Sequence, residues 1–213
     1  MTDRLTEIFN SLPSCKVFAD VGCDHGYISL EMLKSNKAEK VIFSDISKNC
    51  LEKARELLKE YEKDGRAEGY VSNGFDNLPP FDLALIAGMG GEEIISIIEK
   101  AKDLPQKLVV QPMKNSPKVR EVLLKKGYKI IKDYTFKAEN KFYDLITLEK
   151  GNDFLTEEEK EFGRTNLALR PTAFLEKLSV RKKALRSYIE NENIGESARE
   201  ELVEELKRIE KIC

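Results

Sequence analysis

The chain of 213 residues has one histidine, His25, and four cysteines, Cys15, Cys23, Cys50 and Cys213. The cysteines form no C-x-x-C pair and no metal-ligand spacing with a histidine, so no metal site is expected and the thiols fit a reducing compartment. No apolar run approaches the roughly 20 residues that span a bilayer, so no membrane partner is expected. "MTDRLTEIFNSLPSC" has neither a basic start nor an apolar block, which leaves no secretory signal and predicts a cytoplasmic protein. The G-K-[ST] ending of a P-loop is missing, as is the G-x-G-x-x-G of a dinucleotide fold. There is no internal repeat. A formal charge of −2 offers little long-range attraction for nucleic acid, so any phosphate binding depends on local patches.

What is present is an alternation of two periodicities. "KVFADVG" has a strand pattern and "YISLEMLKS" a helical one. "KVIFSD" is a second strand, followed by the helix "SKNCLEKARELLKEYEKDG" with Ser47 as its cap and Gly65 as its stop. "AEGYVSN" is a third strand, and "FDLALIAG" a fourth, apolar enough to be buried on both faces. "GEEIISIIEKAK" is helical with two glutamates in its first turn, "QKLVVQP" is strand five, and "SPKVREVLLKKG" is a helix with a proline near its start and a glycine at its end. "YKIIKDYTFKAENKFYDLITLEKG" predicts two strands joined by a polar turn.

This order predicts an α/β domain over residues 1–150, a mostly parallel sheet with helices on both faces and an antiparallel pair at its edge. From residue 151 strand signal almost vanishes. Phe174, Leu178, Leu185 and Ile189 share one helical face and Leu202, Leu206 and Ile209 another, with "NENIGES" as the break. That spacing predicts a C-terminal α-helical hairpin with a coiled-coil-like seam over residues 151–213. By itself it fits either a brace on the first domain or an arm that grips a partner.

In an open parallel sheet, ligands bind beyond the carboxyl ends of the strands, where the strand order reverses. "DVGCDHG", Asp20 to Gly26, lies at that end of strand one. Asp45, followed by Ile46, ends strand two 23 positions after Gly22, near the spacing at which a carboxylate accepts both hydroxyls of a ribose. Asn73 and Gly74 follow strand three, and an asparagine amide can both donate to and accept from an adenine edge. Ala87 and Gly88, in "AGMGG", end strand four and bring backbone close to the crevice. Four strand ends converge on an adenosine-like ligand.

These features resemble a Rossmann-like class I S-adenosylmethionine-dependent methyltransferase. More narrowly, "DVGCDHGYI", "IAGMGGEEI", "LVVQPM", "VREVLLKKGYKI", "KFYDLI" and "FGRTNLALRPTAFLEKL", in this order, resemble the bacterial TrmK family over nearly the whole chain. Members of that family methylate N1 of adenine 22 in tRNA. Two positions depart from its pattern: Asn73 stands where an aspartate is more frequent, and Met113 where asparagine is usual. "NLPP" imitates the N-P-P-[YFW] motif of amino-methyltransferases but precedes strand four, and "AGMGG", which follows that strand, has no side chain able to grip an exocyclic amine.

The resemblance implies S-adenosylmethionine surrounded by Asp20, Gly22, Cys23, Gly26, Asp45, Ile46, Asn73, Gly74, Ala87 and Gly88, with Asp20 set back, orienting the loop or the methionine ammonium. Backbone N–H groups near Gly22–Gly26 would meet its carboxylate. Asp24 is the first candidate for stabilising the cation formed on adenine, and His25 the alternative as proton acceptor or as a residue that fixes the turn. Tyr27 either stacks on the target base or packs in the core. For tRNA the candidates are Arg164, Arg170, Lys177, Arg181, Lys182, Lys183 and Arg186, in a segment from Gly151 with twelve basic and fourteen acidic side chains. A monomer or weak dimer is expected. The competing readings are a methyltransferase of a small molecule or protein, and a non-catalytic cofactor-binding scaffold docking through the hairpin.

Overall fold

The computed structural model of the chain describes residues 1–191 and 194–213. Seven strands form one sheet in the order β3-β2-β1-β4-β5-β7-β6. β1 (Cys15–Val21), β2 (Ala38–Asp45), β3 (Ala67–Val71), β4 (Leu83–Met89) and β5 (Lys107–Pro112) are parallel. The antiparallel pair arrives as expected, β6 (Tyr128–Ala138) and β7 (Lys141–Lys150), with β7 inserted between β5 and β6.

Alternation along each strand fills both faces. Phe18, Phe43 and Leu85 face one core, which also takes Ile8 of α1 (Asp3–Ser11), Met32 of α2 (Tyr27–Lys34) and Leu58 of α3 (Lys48–Lys63). Ala19, Ile42 and Ile86 face the other, closed by Ile94 and Ile98 of α4 (Gly91–Lys100) and Val119 and Leu123 of α5 (Ser116–Lys125). The expected helix signals act as read: the Ser47 side chain accepts from the Cys50 N–H, and α5 carries its proline in the first turn. α1 is an addition to the sequence expectation, capped by Thr2.

After Gly151 there are four helices among the described residues where two were expected: α6 (Glu157–Phe162), α7 (Arg164–Leu169), α8 (Thr172–Ile189) and α9 (Glu196–Ile212). α7 covers the exposed edge of the sheet, while α6 packs on α5. Asp133 and Thr135 on edge strand β6 donate their backbone N–H groups to Thr165 Oγ1 (3.0 Å) and Asn166 Oδ1 (2.8 Å) of α7. An open edge is thereby satisfied by side chains instead of another strand. α8 and α9 pack over Phe174, Leu178, Leu185, Ile209 and Ile212, while Ile189 is only half-buried. Residues 192 and 193 of the expected break between these helices lie outside the described residues.

Candidate functional site

The strand order reverses between β1 and β4, and a cavity of about 490 Å³ opens there at the carboxyl ends of the strands. Gly22 and Asp24 line it from the turn after β1, Asp45 and Ile46 from the end of β2, Asn73 and Gly74 from beyond β3, and Ala87 and Gly88 from β4. Gly22 has φ +72°, and a Cβ on it would lie 2.0 Å from Met89 Cε. Only a glycine gives this left-handed turn without strain and leaves its backbone open to a ligand. At Gly88 the β4–β5 register slips, so the backbone turns into the crevice.

The Asp45 carboxylate is fixed by two backbone donors, Asp24 N–H to Oδ2 (3.2 Å) and Ser47 N–H to Oδ1 (2.8 Å). A carboxylate has about four acceptor sites, so two remain for a diol. Asp24 takes a left-handed conformation, φ +48°, which aspartate tolerates better than most residues, and its side chain is 67% exposed. His25 Nδ1 lies 2.9 Å from Asp24 Oδ2. The imidazole stacks on Tyr27, with centroids 5.7 Å apart and planes 9° apart, and Tyr27 is exposed, not in the core.

Cys23 and Gly26, expected around the cofactor, lie behind the cavity wall, as does Asp20, expected to orient the loop from there. Asp20 is buried and accepts from Ser29 Oγ at 2.7 Å. Burial raises its pKa to about 6 against the opposing hydrogen bonds from Ser29, and the charge on Asp45 adds to the rise. Cys23 belongs to the core and burial pushes its thiol up, while Gly26 packs against Ala54. The loop's amides are also largely committed: Gly22 and Cys23 donate to the Ser44 carbonyl (2.8 and 2.9 Å), and Gly26 donates to that of Cys23 (2.8 Å). The expected amide cradle for a carboxylate is therefore not built from those three groups.

Arg4, Met89, Glu93 and Ser96 also line the cavity, and sequence reasoning missed them. Glu93 and Ser96 follow from helical spacing once α4 begins at Gly91, but no local signal marks Arg4. Among the described residues no group of histidine, cysteine and carboxylate side chains is arranged to hold a metal, and no helix is long and apolar enough to cross a membrane.

The basic residues expected to meet tRNA divide sharply. Arg164 is committed to Asp153 (2.9 Å) and Glu159 (3.1 Å), and Lys177 to Asp144 (2.8 Å), so both brace the helices against the sheet. Burial alone would raise the pKa of Asp144, but the charges of Lys177 and Arg120 and the hydrogen bonds from Lys177 and Thr135 bring it down to about 2. Arg181 and Arg186 pair across the hairpin with Glu205 and Glu210, both at 2.7 Å. Arg170, Lys182 and Lys183 make no ion pair among the described residues.

A switch-point cavity with a glycine-floored turn, a fixed carboxylate beyond β2 and an amide beyond β3 defines a Rossmann-like methyltransferase site, and it fits S-adenosylmethionine. Residues 1–146 match the family described as a methyltransferase domain. A Mycoplasma genitalium relative, named as a candidate tRNA methyltransferase, is 31% identical over 159 residues, 70% of each chain. The tRNA (adenine(22)-N(1))-methyltransferase of Bacillus subtilis is 28% identical over 160 residues, 71% of this chain and 66% of its own. The solved structure of M. capricolum TrmK with S-adenosyl-homocysteine superposes with a TM-score of 0.90 at 20% identity, covering 99% of this chain and 96% of that one. The chain belongs to this methyltransferase-domain family.

Proposed function

We propose that this protein methylates N1 of adenine 22 in tRNA, using S-adenosylmethionine. The observation that carries the reading is the Asp24–His25 pair beside the cavity that Gly22 and Asp45 define. The family relatives named for the same reaction support it.

Asp45 would hold the ribose, Asn73 the adenine edge and Gly22 the methionine portion of the cofactor, which when bound supplies an activated methyl group. The adenine ring nitrogen brings its own lone pair, so the protein's task is in-line positioning, worth up to about 7–11 kcal/mol when geometry is ideal. The methylated ring carries positive charge, and the Asp24 carboxylate, beside His25, stabilises it where it develops. The exposed Tyr27 ring, stiffened by His25, offers a face for the target base outside its stack. Residues 151–213 form the tRNA-contacting unit in this reading, with Arg170, Lys182 and Lys183 available to phosphates.

Purified protein is incubated with labelled cofactor and unmodified bulk tRNA, and methylated nucleosides are mapped by mass spectrometry. N1-methyladenosine at position 22, lost in Asp24→Ala with cofactor affinity retained, is the expected result. Cofactor binding without methylation of any tRNA would overturn the reading.

A further inference from the structure

The turn after β4 carries no side chain able to hold a target nucleotide, yet the structure brings one there from the far end of the sequence. Arg4, on the first turn of α1, reaches the cavity and lies against Gly88, where a Cβ would be 3.2 Å from its Nη1. Its Nη1 donates to Oε1 of Gln111 at 2.7 Å, and its guanidinium lies 5.8 Å from the centroid of the Tyr143 ring. Gln111 is fully buried, and its Nε2 is tied to the Pro112 carbonyl at 3.0 Å, so the acceptor that holds Arg4 is itself fixed. Among the described residues Arg4 has no side-chain ion pair; Glu139 accepts from its backbone N–H only.

We propose that Arg4 binds a backbone phosphate beside the target adenosine and fixes that nucleotide at the β4–β5 side of the cavity. The proposal rests on the tRNA reading above. Sheet order gives the side: Asp45 and Asn73 mark the cofactor's nucleoside half over β2 and β3, whereas Arg4 is anchored at the end of β5, across β1 and β4 from them. Donor chemistry gives the ligand. A guanidinium only donates, and Nη1 is spent on Gln111 and on the Met113 sulfur (4.0 Å), leaving Nη2 and Nε for an anion. The Hoogsteen edge of adenine sets a donor beside its acceptor and repels such a fork, while a phosphate accepts it.

The test compares wild type, Arg4→Gln and Arg4→Lys on a tRNA transcript over a salt series, with cofactor affinity measured alongside. For Arg4→Gln the KM for tRNA should rise about ten- to a hundredfold with kcat little changed. The slope of log affinity against log salt should fall by about 1, while Arg4→Lys keeps the wild-type slope. A neutral methylphosphonate at a linkage flanking the target adenosine should weaken wild type and add nothing to Arg4→Gln. Wild-type slope and KM in Arg4→Gln would overturn the proposal. A loss confined to cofactor affinity would give Arg4 to the cofactor's carboxylate, and a loss of kcat with an unchanged slope would give it to the base; either overturns the phosphate assignment. Should Arg4→Gln fail to fold, the methylphosphonate series on wild type and Arg4→Lys decides, and no penalty at either flanking linkage refutes it. Wild type that methylates no tRNA sinks the functional reading and Arg4 with it, whereas active wild type with an unaffected Arg4→Gln sinks Arg4 alone.

Discussion

Replacing Asp133 by alanine should loosen the helical segment from the sheet without touching the cavity. Asp133 is fully buried and accepts from Arg120 Nε (2.9 Å), from the Thr165 N–H (2.9 Å) and from the Arg164 N–H (3.2 Å). Arg120 is 1% exposed, and its Nη2 already lacks a partner. Removing the carboxylate strands a buried guanidinium, a change that costs about 3–5 kcal/mol. At about 2–4 °C per kcal/mol for a chain of this size, the melting temperature should drop by about 6–20 °C. Arg120→Met with Asp133→Leu removes both charges and should recover much of the loss. The uncapped N–H groups of Arg164 and Thr165 leave a deficit of about 1–3 kcal/mol. Urea unfolding followed by circular dichroism measures all three proteins, and cofactor affinity should stay at the wild-type value while tRNA affinity falls. A single variant within 1 kcal/mol of wild type (about a fivefold change in the equilibrium), or a double variant no better than the single, would refute the reasoning.

Gly22→Ala must hold φ +72°, a strain of about 1–2 kcal/mol, and pushes a methyl into the cofactor's approach; cofactor affinity by calorimetry should fall more than stability, and an unchanged affinity would remove Gly22 from the site. Asp20 has a folded-state pKa raised to about 6 against an ordinary 3.8, so the folded chain binds the extra proton between those values. Stability should therefore decline as pH rises from 4 to 6, and Asp20→Asn should abolish that decline and gain up to about 3 kcal/mol at pH 7, read from unfolding at several pH values. Asp144 has the opposite sign: its pKa is held down to about 2, so its contribution is present above pH 4 and lost as pH falls toward 2. Lys177→Met should move the acid-unfolding midpoint upward, and an unmoved midpoint would show that Lys177 does not set it.

The sheet was legible because burial on two faces leaves a near-continuous apolar signature, and its turns carry glycine where φ is positive. Asp45 was legible from spacing. Asp20 was read as set back from the cofactor, orienting the loop or the methionine ammonium; its partner, Ser29 on α2, was not legible, because only packing draws that carboxylate inward. The helices α6 and α7 are six residues each, too short for a periodic signal; α7 depends on acceptors it supplies to β6, and α6 on carbonyls that accept from Arg120. Arg181 and Arg186 looked like a phosphate-binding run because their partners lie 24 residues on, across the hairpin. Arg4 was hidden for a like reason, its meaning being given by Gln111, 107 positions away.

The insertion of β7 between β5 and β6 has a consequence for synthesis on the ribosome. The residues lining the cavity lie between Arg4 and Ile97, so the site is encoded before β5 has emerged. β5 can pair with β4 but then waits for β7, while Leu108, Val109 and Val110, all fully buried in the finished protein, stand in a strand with one open edge. The 38 residues that follow Pro112, through Lys150, take roughly 2–8 s to elongate. For that interval the nascent chain offers an apolar template to its neighbours on a polysome. Yield in overexpression should therefore be governed by how quickly β7 arrives, and a chain cut before Lys141 should aggregate although every residue of its cavity is present.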